Sequence, residues 1–166
     1  GQGADKRYLV MVKGRWMNAI QHARFPLHKY LLESGERRVC VAPEGKASHT
    51  VFRLLARWGE VSLLEAQLKT GRTHQIRVHL THLGFPILGD EKYGDFALNH
   101  ELRRGELKRM ALHAWRMDFH HPLSDAPMAL RAPMPETLRS YVRRLSGRAA
   151  PEFAIDGLEQ FLDGAL

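Results

Sequence analysis

Residues 69–94, KTGRTHQIRVHLTHLGFPILGDEKYG, gather three histidines and two arginines into one run and close it with a glycine-rich, proline-containing turn. Side chains of these types can ligate a metal, hold an anion, or satisfy one another inside a core. A metal needs ligands that converge from one side with unprotonated nitrogens and usually a further carboxylate or histidine. On a helix advancing about 100° per residue, His74, His79 and His82 stand at about 0°, 140° and 80°, so only His79 and His82 could share an ion readily. The run also lacks a His-Glu-x-x-His pattern. This argues against a metal site and a metal-dependent hydrolase.

A different grouping is tighter. His74, Arg77 and Thr81 form one polar stripe, while Ile76, Leu80 and Leu83 form an apolar one at i, i+4 and i+7. The apolar stripe predicts a helix seated on a core. Thr73 is the expected N-cap, Gly84 the expected left-handed residue after the last turn, and Pro86 the stop. The polar stripe is either a solvated face or, with Arg72 just before it, an anion-facing surface at a helix amino terminus.

The elements that must position this helix are mostly strands. RYLVMVKGRW reads as a buried strand ending at Gly14, and EVSLLEAQLKTG as another. Between them, ESGE and PEGK punctuate short strands as turns. FALNHELRRGELKRM reads as a short surface helix with its connection, ALHAWRMDFHHP as a strand with a turn or a strand pair, and PETLRSYVRRL as a helix presenting Leu138, Val142 and Leu145. The expected class is therefore α/β mixed (α+β), a predominantly antiparallel sheet with packed helices. Residues 1–146 form the main body. Residues 147–166 read as a linker and an acidic amphipathic tail that either docks or frays.

Composition bounds the partners. The 166 residues are 44% hydrophobic, enough for one core, and the net charge of +7 comes from 25 Lys and Arg against 18 Asp and Glu. That balance favours a polyanion partner, and the basic residues are dispersed, so folding must assemble any footprint. No apolar run is long enough to span a bilayer, so the expectation is no membrane and a cytoplasmic location. Cys40 is the single cysteine, which excludes an internal disulfide framework.

TGRTHQIRVHL followed by GFPILGDEKYG resembles the signature of the RluA-type pseudouridine synthases. KRYLVMVKG is similar to that family's tyrosine-bearing strand, and RMALHAWRMDFHHP to its later Leu-His-Ala strand. YLLESGERRVCVAPEGKAS resembles a subgroup that acts on the ribosomal large subunit. The resemblance covers residues 5 to about 145 and implies the family's catalytic fold and its reaction. In that reaction uracil leaves C1′ through N1 and is rejoined through C5, without cofactor or metal, in ribosomal RNA.

By matched positions the resemblance makes Tyr8 the active-site tyrosine, stacking on the base and placed to remove the C5 proton. Arg77 becomes the partner of the nucleophilic aspartate, and Leu112 an apolar wall of the pocket. Arg72, His74 and Gln75 lie nearby as substrate-binding or orienting residues. Asp90 matches the family's structural Gly-Asp. The family carries its nucleophile in a His-Arg-Leu-Asp string upstream of the tyrosine, and these residues contain no such string; only Asp5 precedes Tyr8. The chain is thus expected to be the carboxy-terminal part of a synthase catalytic domain, a monomer that partners an amino-terminal segment carrying the aspartate and is inactive alone. The competing class is a non-catalytic RNA-binding module.

Overall fold

The computed structural model describes residues 3–164, and its centre is a strand that is apolar on both sides. In β1 (Asp5–Lys13) the consecutive residues Leu9, Val10, Met11 and Val12 are all buried, which requires cover on both faces of the sheet. The other strands are β2 (Ile20–Ala23), β3 (Leu27–Leu31), β4 (Arg37–Val41), β5 (Thr50–Trp58), β6 (Val61–Leu68), β7 (Leu112–His120), β8 (Pro127–Arg131) and β9 (Phe153–Ala154). The helices are α1 (Gln75–His82), α2 (Phe96–Arg103), α3 (Glu136–Arg148) and α4 (Leu158–Leu162). The main sheet runs β2-β5-β6-β1-β7-β8, every pair antiparallel, with β9 added beside β5. This is the expected mixed, mainly antiparallel class.

Register assigns the faces. Tyr8 stands opposite Ala66 and Ala114, and Val10 opposite Leu64 and Leu112, so these share one face. Arg7 and Leu9, opposite Gln67 and Glu65, belong to the other. On that second face α3 buries Leu138, Tyr141, Val142 and Leu145, and Trp58 Nε1 donates to Ser146 Oγ at 3.2 Å. Glu65 is only 2% exposed there, and its carboxylate accepts from Arg7 (3.1 Å) and Trp115 Nε1 (3.0 Å), which makes its burial tolerable.

The tail docks rather than frays. The helix of α3 runs through Arg148, past the expected boundary at residue 146, and β9 then pairs with Ala56 and Arg57 of β5. Its acidic residues meet fixed cations: Glu152 accepts from Arg15 and Arg57, and Arg139 pairs with Glu159 and Asp163. Phe161 of α4 packs on Trp115, with ring centroids 4.4 Å apart.

β3 and β4 form a separate two-stranded hairpin whose turn is the ESGE stretch. PEGK makes a turn too, but it leads to one isolated bridge between Leu27 and Lys46 instead of a second hairpin. Cys40 sits half-buried in β4.

Candidate active site

The histidine- and arginine-rich run folds as α1 between two loops, and each end is fixed in its own way. The helix starts at Gln75, with His74 as N-cap in the left-handed region (φ 54°) and no side-chain cap. Thr73 is therefore not the cap. Gln75 does the corresponding work from inside the helix. Buried to 2% exposure, it accepts from the Arg72 amide (3.0 Å) and the Thr70 hydroxyl (2.7 Å) and donates to His49 O (3.0 Å) and Thr50 Oγ1 (2.9 Å). At the other end Gly84 takes φ +87° as expected; its N–H donates to Thr81 O and that of Phe85 to Leu80 O, a Schellman turn. Ile76 and Leu80 are buried and Leu83 packs against the same core.

That turn sends the chain back as a wedge. β1 and β7 pair as far as Val10 and Leu112, then part. Residues 86–88 enter the gap: Lys13 N–H donates to Pro86 O, Leu88 N–H to Met11 O, and Ala111 N–H to Leu88 O. Gly89 follows at φ +80°, and a Cβ there would lie 2.4 Å from the Arg109 carbonyl oxygen, so only glycine fits. Buried Asn99, from α2, accepts from the Gly89 amide and donates to Asp90 O, both at 2.8 Å, fixing the loop at its turning point.

The polar stripe of α1 faces this loop rather than solvent or a free anion. Arg77 donates twice to Asp90, Nε to Oδ2 at 2.9 Å and Nη2 to Oδ1 at 2.8 Å, and its Cζ lies 5.1 Å from the Tyr93 ring centre. His74 Nδ1 is 2.7 Å from the Tyr93 hydroxyl, and Thr81 Oγ1 donates to Tyr93 O at 3.0 Å. Arg77 was expected to find its carboxylate outside these residues. Within the chain it already holds one, because the wedge brings Asp90 across from it. Burial alone would raise the Asp90 carboxyl, but Arg77 and the amides of Lys92 and Tyr93 hold it below its usual range. Burial and the neighbouring Arg77 push His74 below its ordinary value.

Above this pair lies a cavity of about 250 Å³ lined by Tyr8, Arg72, His74, Gln75, Arg77 and Leu112, with Leu68, Ile76 and Met110 completing the wall. All six candidate residues from the sequence share it. Tyr8 has room because both residues opposite it, Ala66 and Ala114, are small. The volume falls below the range of about 300–1,000 Å³ typical of pockets for drug-sized ligands. Two of Arg77's five N–H donors go to Asp90, so the guanidinium can bridge that aspartate and a second oxyanion in the cavity. Gln75 lines the wall but spends its amide on Thr70, Arg72, His49 and Thr50.

Asp5, the one aspartate before Tyr8, lies on the opposite face, bound by Arg7 and Gln67. His79 is fully buried: Nε2 is 3.0 Å from Phe25 O, an acceptor only, and Nδ1 is 3.0 Å from Thr50 Oγ1. Both ring nitrogens thus serve the core, and the His82 ring lies tilted at 57° against Phe25 with centroids 4.4 Å apart. Tyr93 and Asn99 were not singled out from sequence. For Tyr93 the available signal was its place in GDEKYG, three residues after Asp90.

Comparison with known proteins bears on the family and the fold. The family described as RNA pseudouridylate synthase matches residues 1–82. The chain is 40% identical over 146 residues to ribosomal large subunit pseudouridine synthase C of Escherichia coli K12, covering 87% of this chain and 46% of that protein. The same-named protein of Haemophilus ducreyi is 41% identical over 141 residues, covering 85% and 44%. The chain therefore spans less than half the length of these relatives. Among solved structures, human RNA pseudouridylate synthase domain containing 1 superposes with TM-score 0.72 at 25% identity, over 96% of this chain and 64% of that one. Human RNA pseudouridylate synthase domain containing 4 shares the fold, with TM-score 0.67 at 21% identity, over 92% and 64%.

Proposed function

We propose that this chain, which belongs to the RNA pseudouridylate synthase family, builds one wall of the uridine pocket in an enzyme that isomerises uridines of large-subunit ribosomal RNA. The observation that carries the reading is the convergence of Tyr8, Arg72, His74, Gln75, Arg77 and Leu112 on one cavity. They come from three places in the sequence, β1, β7 and the 72–77 run.

In this reading the target uridine leaves its stack and enters the cavity, since no side chain reaches it inside a folded RNA. Tyr8 and Leu112 flank the base. The C1′–N1 bond breaks, the base turns, and C5 bonds to C1′; C5 then loses its proton and N1 gains one, so the product is an isomer. The Tyr8 hydroxyl is the group positioned to take the C5 proton. Arg77, held from behind by Asp90, uses its remaining donors to orient the attacking carboxylate. That aspartate is supplied from outside these residues, by a preceding segment, and the 166 residues alone do not turn over. No metal or cofactor takes part. The protein works in the cytoplasm as a monomer, with residues 1–146 as the catalytic part and 147–166 as its docked tail. Among the described residues no helix is long and apolar enough to cross a membrane.

The test is Arg77→Ala in the full-length protein, measured for pseudouridine formation and for RNA affinity. Turnover should fall far more than affinity, because the proposed partner of Arg77 is a carboxylate. Equal losses would assign Arg77 to phosphate binding and overturn its proposed role.

A further inference from the structure

The uridine cavity has a basic cavity on each side. The first, of about 230 Å³, is lined by Lys29, Lys46 and Arg72 with Leu27, Gly71 and Thr73, and shares Arg72 with the central cavity. The second, of about 370 Å³, shares Arg77 and Met110 with it and adds Lys92, Arg103, Lys108 and Arg109. Its one acidic lining residue, Glu91, is already paired with Arg103 at 2.7 Å. Three concave spaces are thus joined in a row, through Arg72 on one side and Arg77 on the other.

Several residues of this row are anchored, by the backbone or by the guanidinium. Lys46 is pinned beside the hairpin because Leu27 N–H donates to its carbonyl at 2.9 Å and its own N–H donates to Leu27 O at 2.8 Å. The approach is so close that a Cβ on Gly45 would lie 2.6 Å from the Leu27 carbonyl carbon. Arg72 Nε donates to Ala47 O at 3.2 Å, which fixes the guanidinium beside Lys46. Across the site, Arg109 is held by the carbonyls of Met110 and Leu112, each at 3.3 Å. Among the described residues Lys29, Lys46 and Lys108 enter no ion pair, although 17 such pairs exist elsewhere. A further basic cavity, of about 210 Å³ beside β7 and β8 and lined by Lys6, Arg7, Arg116 and Arg131, differs in that its arginines are already paired with Asp5, Glu65 and Asp118.

Resting on the uridine reading above, we propose that these cavities hold the phosphodiesters flanking the target nucleotide. A single RNA strand crosses the face of α1, with one flank against Lys29, Lys46 and Arg72 and the other against Lys108 and Arg109, Lys92 being already paired with Glu36. A base turned into the central cavity keeps its sugar-phosphate chain outside, so the strand must leave on two sides, and cations stand on both. Phosphate contacts of this kind bind without reading sequence and release counterions.

The experiment is a salt titration of the full-length protein binding a labelled single-stranded RNA with a central uridine. It compares wild type, Lys29→Gln/Lys46→Gln and Lys108→Gln/Arg109→Gln. The control is Arg139→Gln/Arg143→Gln, equal in charge loss and placed on α3, where both pair with acids away from these cavities. Each flanking double variant should flatten the slope of log affinity against log salt by about 1.4, from about 0.7 per phosphate contact on single strands, while the control keeps the wild-type slope. An unchanged slope in either flanking variant, or equal flattening in the control, overturns the two-sided track. Pseudouridine formation in large-subunit ribosomal RNA by the same wild-type preparation separates the two claims. Product with unchanged slopes sinks the track alone, whereas flattened slopes without product sink the enzymatic reading and leave an RNA-binding surface.

Discussion

Replacing Asp90 with asparagine removes the charge that holds Arg77 while leaving the shape of the loop nearly intact. The Asp90 side chain is wholly buried and that of Arg77 is 16% exposed, and their two hydrogen bonds measure 2.8 and 2.9 Å. Removing one partner of a buried pair costs about 3–5 kcal/mol. Because Arg77 keeps some access to water, the lower end applies, about 3 kcal/mol. For a chain of this size that is a fall in Tm of about 6–12 °C. Urea unfolding should show a lower midpoint at unchanged slope, and the double variant with Arg77→Met should lose less than the two single losses together. The effect must also depend on pH. The folded-state carboxyl lies below its unfolded value of about 3.9, so its contribution is present above that value and is lost as pH falls through the folded pKa. The difference between wild type and variant should hold from neutrality to about pH 4 and close below it. A loss under about 1 kcal/mol at pH 7, or a difference that persists unchanged into strong acid, would refute the assignment of Asp90 as the charge that fixes Arg77.

Three other expectations follow from the same geometry. Tyr93→Phe deprives the Val39 amide and His74 of a hydroxyl but keeps the ring beside Arg77, so it should cost about 1–2 kcal/mol in unfolding free energy and lower turnover less than Asp90→Asn does. His79 is held neutral by burial, with its pKa below the ordinary value; stability should be full above about pH 6.5 and decline as pH drops below it, by up to about 1.4 kcal/mol per pH unit, a slope that His79→Gln should remove. Gly89→Ala meets both a left-handed backbone and the Arg109 carbonyl, and thermal melting should show it to be much more damaging than Gly71→Ala, where the added methyl would enter open space.

Periodicity alone exposed much of this architecture. The apolar stripe of Ile76, Leu80 and Leu83, the left-handed Gly84, the buried run in β1 and the Leu138, Val142 and Leu145 face are local patterns, and local patterns carry into the fold. The cap of α1 was misplaced because the propensity of Thr73 at such positions lost to a tertiary arrangement. Gln75 reaches Thr50 and His49 on the neighbouring strand and leaves no need for a side-chain cap. The stripe of His74, Arg77 and Thr81 was visible, but its partners were not. They arrive only when the wedge at residues 86–88 separates β1 from β7, which no spacing within α1 encodes. The docking of the tail depended likewise on Arg15, Arg57 and Arg139, each remote from the acids it meets. Resemblance, by contrast, joined Tyr8 and Leu112 to the 72–77 run, which no spacing could do, and these residues line one cavity.

The central claim is that this cavity serves uridine isomerisation in the large ribosomal RNA. Mass-mapping of pseudouridine in that RNA, from cells with the intact gene, without it, and without it but supplied with the Tyr8→Phe or Arg77→Ala form, tests it most directly. Specific pseudouridines should vanish with the gene and return with the wild-type copy, and Arg77→Ala should fail to restore them. Their return with Tyr8→Phe would assign that residue to stacking rather than proton removal. An unchanged map without the gene would contradict the account.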